Sequence, residues 1–171
     1  MTIYLIGSMG VGKSSLGRMI AENLKIPFLD TDDEVVSREG LSINTIFKTR
    51  GESYFRDLET EILTQIDSTK SQIIATGGGL PMYNNNMDYM LTSGVVVYLQ
   101  MNVEKIIMQV YRDRYKRPTV KSLSIEDLEH KLKTMLRLRI PVYERAHLVF
   151  ERKIDRKQES LELSTYLRMF I

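Results

Sequence analysis

Eight consecutive residues near the N-terminus, Gly7-Ser8-Met9-Gly10-Val11-Gly12-Lys13-Ser14, restrict the possible folds of this 171-residue chain more than any other segment. They match G-x-x-x-x-G-K-[ST], a pattern whose glycines let the backbone turn until several N–H groups point inward at one anion. The flanks are the ones this pattern requires. Residues 2–6 are a β-branched and aromatic run that stops at Gly7, as a strand does. Residues 14–24 then place Leu16, Met19, Ile20 and Leu24 at helical spacing. A strand, a glycine-rich turn and a helix in that order bring the turn's amides and the positive end of the helix dipole to one spot. The expectation is a nucleotide-phosphate loop in which Gly10, Val11, Gly12, Lys13, Ser14 and Ser15 bind ATP. Lys13 reaches the β- and γ-phosphates, and the Ser14 hydroxyl coordinates Mg²⁺.

Downstream, strand and helix patterns alternate. Residues 72–75, 95–99 and 148–151 read as strands, and a further strand leads through Phe28-Leu29 into Asp30-Thr31-Asp32-Asp33. Helical spacing begins at Val35, covers a short segment after Ser42 that Gly51 ends, and resumes over 54–66. It returns over 86–92, 103–111, 125–139 and 161–170. Three strands are continuous apolar runs rather than in-and-out alternations, which predicts a parallel sheet covered on both faces. No repeat or linker interrupts the chain, so residues 1–171 are expected to form one three-layer α/β domain.

The phosphate loop implies a nucleotide but not the group that receives the phosphate. No Asn-Lys-x-Asp segment of the guanine-reading kind is present, and the chain is short for a motor domain. A small-molecule kinase is what remains. The chain contains no cysteine, which removes disulfides, cysteine-based zinc sites and a thiol nucleophile. A hydrophobic share of 43% with 27% charged residues suits a soluble protein. No basic leader precedes the first apolar run and no stretch is long enough for a membrane span, so a cytoplasmic protein is expected. A net charge of +2 is too small to argue for nucleic acid.

Other residues suggest chemistry with less specificity. Asp30 and Asp32 follow a strand end, where open α/β sheets place ligands, but Asp and Thr there also cap helices well. Arg56 and Arg139 could fork onto a carboxylate or stand solvated on helices. Gly77-Gly78-Gly79 follows a strand and serves either a ligand or a tight turn. Between 112 and 122 a basic, proline-containing loop carries Arg112, Arg114, Lys116, Arg117 and Lys121 against Asp113.

Taken together with the phosphate loop, Leu29-Asp30-Thr31-Asp32, Gly51-Glu52-x-x-Phe55-Arg56, Thr76-Gly77-Gly78-Gly79 and Arg117-Pro118 followed by Arg139-x-Pro141-x-Tyr143 resemble shikimate kinase from about residue 3 to about 150. The resemblance implies a nucleoside-monophosphate-kinase-like fold, a five-stranded parallel sheet with helices on both faces and a mobile lid over 112–122. It implies transfer of the ATP γ-phosphoryl group to the 3-hydroxyl of shikimate, in the route to chorismate and the aromatic amino acids. By that likeness Asp32 contacts the acceptor hydroxyls and takes the proton, Asp30 lies near Mg²⁺, and Arg56 and Arg139 hold the shikimate carboxylate. Gly78 touches the substrate through its N–H, and Arg117 closes over the transferring phosphoryl group. Arg112, Arg114 or Arg156 lies along adenine. The chain departs from the family pattern where Pro118-Thr119-Val120 replaces Pro-Leu-Leu. A monomer without nucleic acid or membrane partners is implied. The competing expectations are another small-metabolite kinase, for gluconate or a nucleotide, and a nucleotide-binding relative without turnover. The first has no reason for Asp32, Arg56, Gly78 and Arg139 together, and against the second every position that catalysis needs carries the needed residue type.

Overall fold

Five strands form one parallel sheet in the order β2-β3-β1-β4-β5. They are β1 Thr2–Ile6, β2 Phe28–Asp30, β3 Gln72–Ala75, β4 Gly94–Gln100 and β5 Leu148–Glu151. The structure is a computed structural model, and residues 1–116, 120–153 and 155–171 are described. Arg117, Pro118 and Thr119, assigned above to the lid, lie outside the described residues.

β1 is central and buried along its whole length. Its alternate side chains feed two separate cores. Ile3 and Leu5 pack with Leu16, Ile20, Ile106, Val110, Leu132 and Leu163 on one face. Tyr4 and Ile6 pack with Leu63, Leu80, Met87, Met90 and Tyr143 on the other. Two-sided burial is why β1, β3 and β4 lack polar alternation. The helices are α1 Lys13–Leu24, α2 Thr31–Glu39, α3 Ile43–Gln65, α4 Asn86–Ser93, α5 Val103–Arg112, α6 Ile125–Tyr143 and α7 Arg156–Leu167. A third cluster, Val35, Ile46, Phe55, Leu58 and Ile62, joins α2 to α3 beside the sheet.

The four larger differences from the sequence reading each have a local setting. α2 starts at Thr31, four residues early, because the Asp30 side chain accepts from the Asp32 N–H at 3.0 Å and caps it. α3 joins the two segments expected on either side of Gly51, which sits at φ 84°, ψ 172° as a kink within it. α6 runs four residues past Arg139 with Pro141 in its last turn, and the Glu144 N–H still closes onto the Ile140 carbonyl at 2.9 Å. α7 begins at Arg156 instead of residue 161, capped by Asp155, whose carboxylate accepts from the N–H groups of Lys157 and Gln158.

The connection from β1 leads toward β2 and that from β4 toward β5, in opposite directions across the sheet. The connections that leave their carboxyl ends therefore diverge, the arrangement at which open α/β sheets form a ligand crevice. Among the described residues, no helix is long and apolar enough to cross a membrane.

Candidate active site

The loop between β1 and α1 turns through Gly10 and Gly12 at φ +84° and +83°, a region that residues with a Cβ enter only under strain. Close packing adds a second constraint at Gly10, where a Cβ would stand 2.6 Å from a Val110 methyl. The Lys13 ammonium folds back over this loop and donates to the carbonyls of Gly7 at 2.7 Å and Ser8 at 2.9 Å. Ser14 is exposed at the start of α1. The buried Ser8 hydroxyl has no hydrogen-bond partner among the described residues. A glycine turn with one buried ammonium and an open hydroxyl at a helix N-terminus fits a nucleotide phosphate.

Beside this loop lies the glycine triplet, held at two points. Thr31 Oγ1 accepts from the Gly77 N–H at 2.9 Å, and the Tyr143 hydroxyl donates to the Gly78 carbonyl at 2.5 Å. Each of the three glycines meets a different side chain expected to be functional. A Cβ on Gly77 would stand 2.7 Å from Asp32 Oδ1, and one on Gly78 would stand 3.5 Å from an Arg139 terminal nitrogen. On Gly79 it would stand 2.7 Å from Nη1 of Arg56. Gly78 also approaches the phosphate loop, at Gly7 O and Met9 N. The triplet is thus the surface on which Asp32, Arg139 and Arg56 converge, and it sets them against the Lys13 loop.

The electrostatics are uneven. Burial pushes the Asp32 carboxyl above its usual range, with the Asp30 charge adding to the shift and Lys13 opposing it. Tyr143 is pushed up to about 12 by burial and stays a phenol that can donate. Arg56 is far from solvated. Its side chain is 12% exposed, its guanidinium lies 4.4 Å from the Tyr83 ring, and it pairs with Glu52 and Glu59.

Glu59 was not singled out in the sequence. It is buried, donated to by Arg56 Nη1 at 2.7 Å, and a Gly77 Cβ would stand 2.6 Å from its Oε1. Burial pushes its carboxyl up to about 7, against the lowering effect of Arg56. In the unfolded chain this proton leaves near 4.5, whereas the folded protein holds it to about 7. Below the lower value the group is protonated in both states. As pH rises between the two values, a contribution on the order of 3 kcal/mol is lost. Urea unfolding at pH 5 and pH 8 should show this loss for the parent chain and a flatter dependence for Glu59→Gln. Equal pH dependence in the two proteins would contradict the assignment.

On the other side of the phosphate loop a cleft of about 770 Å³ opens, lined by Met101, Lys105, Tyr111, Arg112, Arg114 and Arg156 among others. Arg114 lies between the Tyr111 and Tyr115 rings, 3.9 and 4.5 Å from their centroids. Arg112 is largely exposed, and Arg156 donates to Ser15 Oγ at 3.2 Å. All three arginines considered for adenine therefore border the same cleft. Arg152, also missed in the sequence, lies buried beneath the loop. It donates to the Val11 carbonyl and pairs with the buried Glu159 at 2.9 Å.

Comparison with known proteins agrees with this geometry. The family model described as shikimate kinase matches residues 9–167. The chain is 43% identical over 150 residues to the shikimate kinase of Acinetobacter baylyi, covering 87% of this chain and 81% of that protein. It is 39% identical over 148 residues to that of Clostridium botulinum, covering 86% and 85%. Among solved structures, the shikimate kinase of Bacteroides thetaiotaomicron superposes with a TM-score of 0.91 at 27% identity, over 98% of both chains. That of Acinetobacter baumannii in complex with shikimate gives 0.86 at 34% identity, over 98% of this chain and 93% of the other. With the motifs in order, the sheet and loops in place, and relatives of this identity matched over most of their length, the chain belongs to the shikimate kinase family.

Proposed function

We propose that the protein transfers the γ-phosphoryl group of ATP to the 3-hydroxyl of shikimate, giving shikimate 3-phosphate and ADP. The observation that carries this reading is the convergence of Asp32, Arg139 and Arg56 on three successive glycines beside the Lys13 loop. Shikimate presents a carboxylate at one end and hydroxyls at the other. Arg56 and Arg139 answer the first, and Asp32 answers the second. The bond between the acceptor oxygen and the γ-phosphorus forms as the bridge to the β-phosphate breaks, and the hydroxyl proton passes to Asp32. Lys13 offsets the charge on the β- and γ-oxygens, and the Gly78 N–H faces the substrate. Gly10, Val11, Gly12, Lys13, Ser14 and Ser15 hold the nucleotide phosphates, and adenine enters the cleft bordered by Arg112, Arg114 and Arg156.

Mg²⁺ belongs with Ser14 and, through water, Asp30. Asp30 spends one oxygen on capping α2, and among the described residues no three acidic or histidine side chains gather to hold a metal. That donor set suits an ion kept mainly by phosphate oxygens and water. When bound, the ion neutralises phosphate charge. We read the chain as a single cytoplasmic domain working as a monomer, without nucleic-acid or membrane partners.

A coupled ADP-release assay with shikimate, gluconate and nucleoside monophosphates tests the reading. Shikimate alone should raise ADP release above the ATP-only rate. Stimulation by gluconate or a nucleotide, or by none of the three, would overturn it.

A further inference from the structure

Arg56 is already occupied. Its Nε and Nη2 donate to Glu52 Oε1 at 3.2 and 2.9 Å, and its Nη1 donates to Glu59 Oε2. The Tyr83 hydroxyl donates to the same Glu52 oxygen at 3.2 Å. The rings of Tyr83, Phe55 and Phe47 stand 4.4, 5.2 and 5.7 Å from the guanidinium carbon, and Gly79 packs against the two terminal nitrogens. The side-on edge formed by Nε and Nη2 is the edge at which a carboxylate can take two parallel N–H bonds, and Glu52 holds it.

We propose that Glu52 is a displaceable stand-in for the substrate's carboxylate: it occupies the Arg56 fork until an anionic acceptor turns it out. The idea rests on the function proposed above and deepens it, naming what the site demands of its substrate. Three features distinguish Glu52 from the permanent partner Glu59. The Glu52 side chain is 56% exposed, against 2% for Glu59, so water receives it readily on release. Both Arg56 N–H groups and the Tyr83 hydroxyl converge on one oxygen of Glu52, whereas an incoming carboxylate offers a separate oxygen to each N–H. And Glu52 directly follows the Gly51 kink, where α3 is already broken and a local rotation disturbs no continuous run of helical bonds. The Arg56 bonds, with the Arg139 charge also contributing, hold the Glu52 carboxyl below its ordinary range, so it competes as an anion throughout the working pH range.

The device costs affinity and adds selectivity. A neutral analogue replaces Glu52 poorly, because it returns no charge for the one it displaces and leaves Arg56 with Glu59 alone. An anionic one exchanges one ion pair for a better-matched one.

The test compares Glu52→Gln with the parent chain, using shikimate and its carboxamide analogue, in steady-state kinetics and titration calorimetry. An ion pair of this exposure holds back binding by about two- to fivefold. The variant should therefore bind shikimate about two- to fivefold more tightly, with KM moving more than kcat and the ATP KM little changed. The carboxamide should show no matching gain. Weaker binding of shikimate would mean that Glu52 orients Arg56, and unchanged binding would mean that it does not compete; either overturns the proposal. A gain shared equally by the carboxamide would also overturn it, since it would reflect space and not charge. Glu52→Ser, which cannot reach Arg56, should repeat the Gln result. Failure of the proposed reaction shows separately, as absence of shikimate-dependent turnover in the parent chain, while the Glu52 proposal is read only from ratios of variant to parent.

Discussion

Asp32→Asn is expected to lower turnover by about 10²–10⁴-fold while leaving ATP affinity little changed, the usual loss when a positioned base is removed. The sequence left open whether the acidic cluster caps a helix or serves a ligand, and in the structure the cap is Asp30. Asp30 does the capping, accepting from the Asp32 N–H, so the Asp32 carboxylate is left to face Gly77 and the charges of Lys13 and Arg56. Its surroundings also predict a pH dependence. Burial, reinforced by Asp30, raises its pKa, so the ionised form that accepts a proton is lost at a higher pH than an ordinary aspartate would lose it. The acid limb of kcat/KM for the parent chain should accordingly lie above the usual aspartate range. The Asn variant should lack that limb in whatever activity remains. Coupled ADP release across pH, with calorimetric ATP binding on the same samples, measures both effects. Near-parental turnover in Asp32→Asn would remove this residue from the proton transfer.

Arg56→Ala should raise the shikimate KM by an amount equivalent to about 2–5 kcal/mol, the cost of truncating one member of a desolvated charge pair. Nucleotide affinity should stay near its parental value, because Arg56 lies against the glycine triplet and not along the cleft bordered by Arg112, Arg114 and Arg156. Arg56→Lys should rescue poorly. An ammonium supplies no parallel N–H pair, and it loses the planar contact with Tyr83. The substitution also has a folding effect. It leaves Glu59 buried without its cation, and Glu59 already holds a proton up to about 7, so protonation near neutrality relieves part of the strain. Urea midpoints should fall more at pH 8 than at pH 6, while the KM defect persists at both. A fall in ATP affinity instead would place Arg56 in the nucleotide site.

The parts of the site that were legible in the sequence are those whose chemistry is local. The phosphate loop is recognisable because backbone conformation dictates its residue types, and Gly10 and Gly12 do adopt the positive φ that excludes other residues. Gly51 marks the break in α3 for the same reason, and Ser42 caps that helix through the Thr45 N–H. What stayed hidden depends on residues distant in sequence. Glu59 stands three places after Arg56 and reads as half of a surface ion pair. It is buried only because the triplet, 18 or more positions later, packs over it. Arg56-x-x-Glu59 beside a glycine run was the available signal. Arg152 and Glu159 look like part of a polar tail until α7 starts at Arg156 and swings Glu159 back beneath the phosphate loop. The early start of α2 was obscured because Asp-Thr-Asp-Asp has low helix propensity. The Asp30 cap outweighs that propensity.

The strut from Arg152 to the Val11 carbonyl spans 141 positions, and β1 lies between β3 and β4 in the middle of the sheet. During synthesis, then, β1 leaves the ribosome before the segments that complete it. β1 cannot be flanked on both sides until β4 has emerged, and the phosphate loop lacks its brace until Arg152 and Glu159 follow. A nascent chain, or one that stops short of those residues, carries the whole nucleotide-binding motif without the support that shapes it. Possession of the motif and of the brace beneath it are thus separated in time by the synthesis of the segments that lie between Val11 and Glu159.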